Sequence, residues 1–159
     1  MILSALYFGT DNLTSNVMEA ISDRLAQSDV EVKIVSDFLR SSRNDGHYSE
    51  IFKKANPSDS KKFQYYLFTA SGTNIERLPA SLREIYGVHH MKFMIFDDSV
   101  IITGANLSET YLSNRHDRYY VLNDCKDICD YLELIVDTLS PFCCKVFIII
   151  SGVIFLKVL

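Results

Sequence analysis

The fold of this chain is indicated most clearly by one stretch of sequence, HHMKFMIFDDSVIITGANLS, residues 89–108. Apolar residues dominate it on both sides of the acidic pair Asp97 and Asp98. Two apolar runs separated by a short polar turn are typical of a β-hairpin. The sequence therefore predicts a strand over residues 88–96, a turn at the two aspartates, and a second strand over residues 100–103.

The segments on either side of this hairpin predict more strands and helices. Residues 2–8 and 30–34 have the apolar content of strands, and the segment between them carries apolar residues at helical spacing from Asn16 onward. A strand–helix–strand order is typical of a parallel sheet with a crossover helix. Further strands are predicted over residues 63–69 and 119–122. Together these elements predict an α/β fold with a mixed β-sheet flanked by helices.

The length and the C-terminal composition define two regions. The chain has 159 residues and a mass of 18.2 kDa, which suits one domain, predicted over residues 1–141. Its last helix is expected to be capped by Asp124 and to be stopped by Pro141. Residues 142–159 form a hydrophobic tail, shorter in apolar length than the ~20 residues of a membrane-spanning helix. Three interpretations stay open: a strand or strand pair that turns at Ser151, a truncated and non-native tail, or a peripheral membrane contact.

Charge and composition limit the classes of function. The chain has 16 Lys and Arg residues against 20 Asp and Glu residues, for a formal net charge of −4. Because nucleic-acid-binding proteins are usually strongly basic, nucleic acid is not an expected partner. A hydrophobic share of 48% and a charged share of 23% are typical of a globular domain and not of a disordered chain. The four cysteines lack metal-ligand spacing, so reduced thiols are expected.

Polar side chains of the 89–108 stretch are candidates for chemistry. Alternate residues of a strand point to the same face, so we expect His90 and Lys92 side by side. His89, the competing candidate, points to the opposite face and into apolar packing. The hairpin returns to bring the amide of Asn106 beside His90. An imidazole can attack phosphorus while a lysine and an amide stabilise the phosphoryl oxygens, which predicts substitution at a phosphodiester without a metal or other cofactor.

The spacing of these residues also identifies a family. The phospholipase D superfamily has the signature H-x-K-x-x-x-x-D followed by a glycine-containing turn and an asparagine, which this chain matches with His90, Lys92, Asp97 and Asn106. The longer stretch HHMKFMIFDDSVIITGANLSETYLSNRHDRYYVLND resembles the first cassette of the eukaryotic phosphatidylglycerophosphate synthases. This similarity extends over residues 2–140 or so. A single His–Lys pair on a strand is common without any catalytic role, and the full pattern is what makes the match specific.

The resemblance implies roles for the residues of the signature. His90 would be the nucleophile, or the acid–base partner of the nucleophile, and Lys92 and Asn106 would hold the phosphate. Asp97 belongs to the catalytic signature, where it would act either in structural pairing at the turn or in proton transfer. The resemblance leaves both roles of Asp97 open.

The resemblance also draws attention to charged residues outside the signature. Asp117 would orient the catalytic imidazole, or else would pair with a neighbouring arginine. Arg115 and Arg118 would contact the phosphate groups of the substrates, or else would be ordinary surface residues. The same two alternatives hold for Arg40 and Arg43, in a loop that resembles the same synthases.

The implied activity is that of CDP-diacylglycerol–glycerol-3-phosphate 3-phosphatidyltransferases, which act in phosphatidylglycerol and cardiolipin synthesis. A histidine would displace CMP from CDP-diacylglycerol to form a phosphohistidine, and glycerol 3-phosphate would then release phosphatidylglycerophosphate. The resemblance implies no cofactor. It implies a mitochondrial location, although the N-terminus has no features of a signal or transit peptide.

Such enzymes take a second histidine from another copy of the cassette, and this sequence contains one copy. His47 and His116 do not start a second copy, because neither has a lysine two residues later. Three interpretations stay open: a phosphatidyltransferase represented by an incomplete chain, a homodimeric single-cassette phosphodiesterase, and an inactive fragment that binds lipid or nucleotide.

Overall fold

A mixed β-sheet organises the computed structural model, which describes residues 1–43, 47–55, 62–70, 77–149 and 152–157. Within these residues the sheet has eight strands in the spatial order β6-β5-β4-β1-β2-β3-β7-β8. The strands are β1 (Ile2–Ser4), β2 (Val32–Asp37), β3 (Phe63–Phe68), β4 (Phe93–Phe96), β5 (Ser99–Thr103), β6 (Tyr119–Leu122), β7 (Cys143–Ile149) and β8 (Gly152–Lys157). The helices are α1 (Asn12–Gln27), α2 (Phe38–Ser41), α3 (Tyr48–Ala55), α4 (Ala80–Tyr86), α5 (Glu109–Ser113) and α6 (Lys126–Leu139). The α/β class predicted from the sequence is confirmed.

The strand directions bring several loops to one end of the sheet. β1, β2 and β3 are parallel, β4 is antiparallel to β1, and β5 and β6 each run antiparallel to the strand before them. The carboxyl ends of β1, β2, β3 and β5 therefore lie beside the amino ends of β4 and β6. We call this the site end of the sheet, and the opposite end, which carries the β4–β5 turn at Asp97 and Asp98, the far end.

The two faces of the sheet are covered by different helices. On one face α1 and α3 pack over the central strands, and on the other face α6 packs over β1, β4 and β5. The side chains fully buried on the first face include Leu3, Met18, Ile34, Ile51 and Tyr65, and those on the second face include Val100 and Val136. This two-sided burial makes the sheet a rigid support for the loops at its site end.

Several element boundaries differ from the sequence prediction. α1 begins at Asn12 and not at Asn16, because Asp11 is its N-cap and accepts a hydrogen bond from the Thr14 N–H at 2.9 Å. α6 begins at Lys126 with Cys125 as its N-cap, because Asp124 adopts the left-handed conformation with φ 52°.

The third difference concerns the strand that was predicted over residues 88–96. It begins only at Phe93, which pairs with Ser4, the last residue of β1. Residues 89–92 therefore extend beyond β1, and among them Lys92 has a backbone hydrogen bond to β5, from the Thr103 N–H. β1 is also shorter than the predicted 2–8, since it ends at Ser4. Phe8 forms an isolated bridge with Leu107.

The C-terminal residues continue the sheet. β7 pairs antiparallel with β3, and β8 pairs antiparallel with β7, so the strand-pair interpretation of the tail is the one that the structure contains. The predicted turn residue Ser151 lies outside the described residues. In the described part of the chain, every helix is too short or too polar to span a bilayer. The four cysteines are free thiols.

Candidate active site

The candidate nucleophile and its cation lie together at the site end of the sheet, just before β4. The Nζ atom of Lys92 is 3.2 Å from both ring nitrogens of His90 and donates a hydrogen bond to the His90 carbonyl oxygen at 2.9 Å. The His90 side chain is exposed, whereas Lys92 is buried. The prediction that these two side chains lie on the same side of the chain is confirmed.

This environment favours a neutral imidazole beside a cation. Partial desolvation of the ring, followed by the positive charge of Lys92, holds the pKa of His90 below its ordinary value. Burial lowers the pKa of Lys92 as well, and the negative charge of Asp117 opposes that shift. A neutral imidazole has a free lone pair, which is the form that attacks phosphorus, and an ammonium group beside it would stabilise the phosphoryl oxygens.

Asn106 follows β5 and reaches the same end of the sheet. Its side chain is 1% exposed, and its Oδ1 accepts a hydrogen bond from the Leu6 N–H at 3.2 Å. Its Nδ2 is buried and has no hydrogen-bond partner among the described residues. A buried amide donor without a partner is costly, so a donor of this kind is typical of a position where a ligand oxygen completes the bonding.

Asp117 lies against the glycine of the turn. A Cβ atom on Gly104 would be 2.9 Å from both carboxylate oxygens of Asp117, so a larger residue there would force this exposed carboxylate to move. Asp117 Oδ1 accepts a hydrogen bond from the Arg118 backbone N–H at 2.7 Å. Within the described residues no hydrogen bond joins Asp117 to His90, and its effect at the site is the electrostatic one on Lys92.

The arginines near Asp117 point elsewhere. The Arg115 guanidinium lies 4.5 Å from the ring centroid of Tyr111 on α5, and Arg118 is exposed just before β6. In the described part of the chain neither guanidinium forms an ion pair with Asp117. Phosphate binding by Arg115 and Arg118 stays a prediction.

The structure does not bring Asp97 to this cluster. Asp97 lies at the far end of the sheet, exposed, in the β4–β5 turn, with φ 53°. Its position agrees with the predicted turn. The whole length of β4 lies between Asp97, the last residue of the signature, and the His90–Lys92 pair.

Three polar residues that the signature does not include hold the segment that carries His90. The Ser4 hydroxyl lies 2.7 Å from the Nε2 atom of His89 and donates to the Met91 carbonyl oxygen at 3.0 Å. The His89 backbone N–H donates to Asp37 Oδ2 at 3.1 Å. A hydroxyl within the apolar strand β1 and a carboxylate at the end of β2 were the sequence signals for Ser4 and Asp37.

Burial governs the ionisation of these residues. Burial, then the charges of Lys92 and His90, lower the pKa of His89 to about 4. Burial raises the pKa of Asp37 to about 6, although backbone N–H groups donate to its carboxylate. His89 is therefore a neutral, buried residue, as its predicted orientation toward the core implies.

Arg40 extends the polar surface at the end of β2. Its guanidinium lies 5.2 Å from the ring centroid of Tyr7, and its backbone N–H donates to Asp37 Oδ1 at 3.0 Å. Its Nε is buried without a hydrogen-bond partner among the described residues. Arg43, by contrast, is paired with Glu84.

Comparison with known proteins shows the family of this chain. A family model described as "Cardiolipin synthase, PLD-like domain" matches residues 1–138. The mitochondrial CDP-diacylglycerol–glycerol-3-phosphate 3-phosphatidyltransferases of Mus musculus and Homo sapiens are each 32% identical over 150 residues, which are 88% of this chain. The enzyme of that name from Schizosaccharomyces pombe is 31% identical over 137 residues.

These relatives are much longer than the region they share with this chain. The matched part covers 27% of the length of each of the three proteins. The family model, in contrast, matches most of the present sequence, and it includes the whole of the H-x-K-x-x-x-x-D signature and the turn with Asn106. The chain therefore belongs to the family of PLD-like domains represented by cardiolipin synthase.

Proposed function

We propose that this chain supplies one half of the active site of a CDP-diacylglycerol–glycerol-3-phosphate 3-phosphatidyltransferase. The observation that carries the proposal is the contact of Lys92 Nζ with both ring nitrogens of His90 at 3.2 Å. The buried, unpartnered Nδ2 of Asn106 at the same end of the sheet supports it. The names of the relatives supply the substrates, and the geometry supplies a nucleophile with two groups that can hold a phosphate.

In the first step a ring nitrogen of His90 attacks the phosphorus that carries the diacylglycerol group. A nitrogen–phosphorus bond forms, the bond from that phosphorus to the CMP oxygen breaks, and CMP leaves with the electron pair. Lys92 offsets the charge that builds up on the non-bridging oxygens, and Asn106 Nδ2 donates a hydrogen bond to one of them. The product is a phosphatidyl-histidine.

In the second step a hydroxyl of glycerol 3-phosphate attacks the same phosphorus. The nitrogen–phosphorus bond breaks, phosphatidylglycerophosphate is released, and His90 returns to its neutral form. The hydroxyl must lose its proton to a general base. His89 does not suit that role because it is buried and hydrogen-bonded to Ser4, so the base comes from outside this cassette.

The outside group comes either from further sequence like that of the longer relatives or from a second copy of this chain. The second source corresponds to the homodimeric phosphodiesterase. One observation favours a partner of either kind: all four residues of the edge strand β6 are exposed on both faces, from Tyr119 to Leu122. This strand starts two residues after Asp117, so a partner that covered it would lie beside the site end.

A phosphatidyltransferase of this kind works on a lipid surface. We propose a peripheral contact of the chain with a membrane that contains CDP-diacylglycerol, and a mitochondrial location like that in the names of the mouse and human relatives. Co-sedimentation with vesicles, with and without CDP-diacylglycerol, tests the contact. Equal binding to both vesicle types would contradict recognition of the nucleotide headgroup.

The function is tested by CMP release from vesicles that contain CDP-diacylglycerol, in the presence of glycerol 3-phosphate. The chain is assayed alone at a series of concentrations and then mixed with the C-terminal remainder of the mouse relative. Activity only in the mixture supports an incomplete transferase, and activity that rises with the square of the concentration of the chain alone supports the homodimer. CMP release that does not depend on glycerol 3-phosphate indicates a hydrolase.

A matched pair of substitutions assigns the nucleophile. His90→Asn should abolish CMP release in whichever assay is active, whereas His116→Asn changes an exposed histidine outside the cluster and should leave the rate unchanged. Persistence of CMP release in His90→Asn, or its absence from every wild-type assay, would refute the proposal.

A further inference from the structure

The segment that carries the candidate nucleophile lies outside the regular sheet. β4 begins at Phe93. The residue before it, Lys92, is still bonded to β5, because its carbonyl oxygen accepts a hydrogen bond from the Thr103 N–H at 3.1 Å. In the described part of the chain, the backbone of residues 89–91 is paired with no strand. Their geometry must therefore be held by side chains.

Ser4 supplies this support from β1. Its hydroxyl is buried, 3.0 Å from the Met91 carbonyl oxygen and 2.7 Å from His89 Nε2. His89 is tied in turn at its backbone, where its N–H donates to Asp37 Oδ2 at 3.1 Å. The peptide group immediately before His89 and the peptide group immediately before Lys92 are thus both held.

The direction of the hydrogen bonds follows from the available hydrogens. A carbonyl oxygen can only accept, so the single hydroxyl hydrogen of Ser4 goes to Met91. The Ser4 oxygen must then accept from His89, which requires a hydrogen on Nε2. The chain of donors therefore runs from His89 Nε2–H to the Ser4 hydroxyl and from this hydroxyl to the Met91 carbonyl oxygen.

We propose that Ser4 and His89 are positioning residues for His90. Their hydrogen-bond chain fixes the backbone between His90 and Lys92, so that the Lys92 ammonium lies against the His90 ring. The role of the pair in turnover rests on the proposed function of His90 as the nucleophile. The geometric part, the contact of Lys92 with His90, is a property of the chain whatever its substrate.

The test uses the full chain with ¹⁵N-labelled histidine and follows the titration of His90 by NMR. Ser4→Ala and His89→Leu remove the hydrogen-bond chain, so Lys92 should leave the ring and the pKa of His90 should rise toward the ordinary value of about 6.5. His89→Gln keeps an N–H donor on the amide nitrogen of its side chain and should retain the wild-type pKa. A residue that supports only the stability of the fold would lower the melting temperature of its variants without moving this pKa.

In the active assay of the proposed function, Ser4→Ala and His89→Leu should lower kcat by about 10- to 100-fold with little change in KM, and His89→Gln should recover most of the loss. If no preparation releases CMP but the NMR pattern holds, the proposed function fails and the positioning role stands. An unchanged His90 pKa in folded Ser4→Ala and His89→Leu would overturn the inference. If these variants do not fold, the wild-type spectrum decides, because a hydrogen on Nδ1 of His89 and not on Nε2 would also overturn it.

Discussion

The two ends of β4 carry the two ends of the H-x-K-x-x-x-x-D signature, and these two ends differ in burial and in their contacts. At the site end, His90 and the buried Lys92 are in contact, and the buried Asn106 lies at the same end of the sheet. At the far end, Asp97 is exposed in a turn. The four residues of β4 lie between Lys92 and Asp97, and the five steps of extended chain span about 16 Å. The comparison teaches that the residues of a signature need not form one site, because a strand can place chemistry at one end and turn geometry at the other.

The strongest test of this comparison is the removal of the cation at the site end. Lys92→Met keeps the length of the side chain and removes the charge, so we expect CMP release to fall by about 10²- to 10³-fold in the active assay. The pKa of His90 should rise at the same time, because the charge of Lys92 helps to depress it. Substitution of an exposed lysine on α3, Lys53→Met, is the control. If CMP release fell by less than three-fold in Lys92→Met, the cation at the site end would have no part in the reaction.

The second prediction concerns the pH dependence of stability at the site end. The pKa of His89 is about 4 in the folded chain and about 6.5 in the unfolded chain, so the unfolded state binds the proton first as the pH falls. This group therefore contributes full stability above pH 6.5, and about 3 kcal/mol of it is lost as the pH falls to 4. Asp37 acts in the opposite direction, because its raised pKa, about 6, costs stability as the pH rises through that value.

Urea unfolding of the wild type and of His89→Gln at pH 7.5, 5.5 and 4.5 separates these two effects. In His89→Gln the free energy of unfolding should no longer fall with the protonation of His89 at low pH. Its opposite dependence on pH, which comes from Asp37, should remain. His116→Gln, at an exposed position, should retain both slopes. Parallel pH profiles for the wild type and His89→Gln would contradict the buried neutral state of His89.

The third prediction concerns the turn at the site end. Gly104→Ala places a methyl group 2.9 Å from both carboxylate oxygens of Asp117, so the carboxylate must move or the turn must shift. We expect a loss of about 1 kcal/mol in the free energy of unfolding, because the exposed Asp117 carboxylate can turn away but then loses its hydrogen bond from the Arg118 N–H. The double variant Gly104→Ala with Asp117→Gly removes the clash and should be less destabilised than the sum of its two single variants. Simple additivity would show that Asp117 does not contact Gly104.

The sequence predicted the features that depend on local patterns. Alternation along the chain predicted that His90 and Lys92 lie on the same side, and the acidic pair after Phe96 predicted the turn at Asp97. Edge strand β6 has its predicted bounds, Tyr119–Leu122. These features depend on spacing alone, which a single sequence contains.

The features that the sequence did not predict depend on long-range contacts. Ser4 and His89 are 85 positions apart and meet only because β1 and β4 are neighbours in the sheet. Asp11 caps α1 and also accepts a hydrogen bond from the Glu109 N–H at 2.9 Å, a partner 98 positions away. The early end of β1 likewise explains why β4 begins at Phe93. No local pattern specifies such pairings, since they follow from the order of strands in the sheet.

The smallest expected effect is at the far end, and it decides whether Asp97 is catalytic. The φ of 53° at Asp97 suits Asp, Asn or Gly and disfavours a β-branched residue. Asp97→Asn keeps this conformation and removes the charge, so CMP release in the active assay should change by less than about two-fold, because Asp97 is a strand length from His90. Asp97→Val should cost about 1–2 kcal/mol in the free energy of unfolding through backbone strain and should leave kcat unchanged. A large loss of kcat in Asp97→Asn, with unfolding unaffected, would mean that charge at the far end acts on the reaction, and the separation between the two ends of β4 would then be structural only.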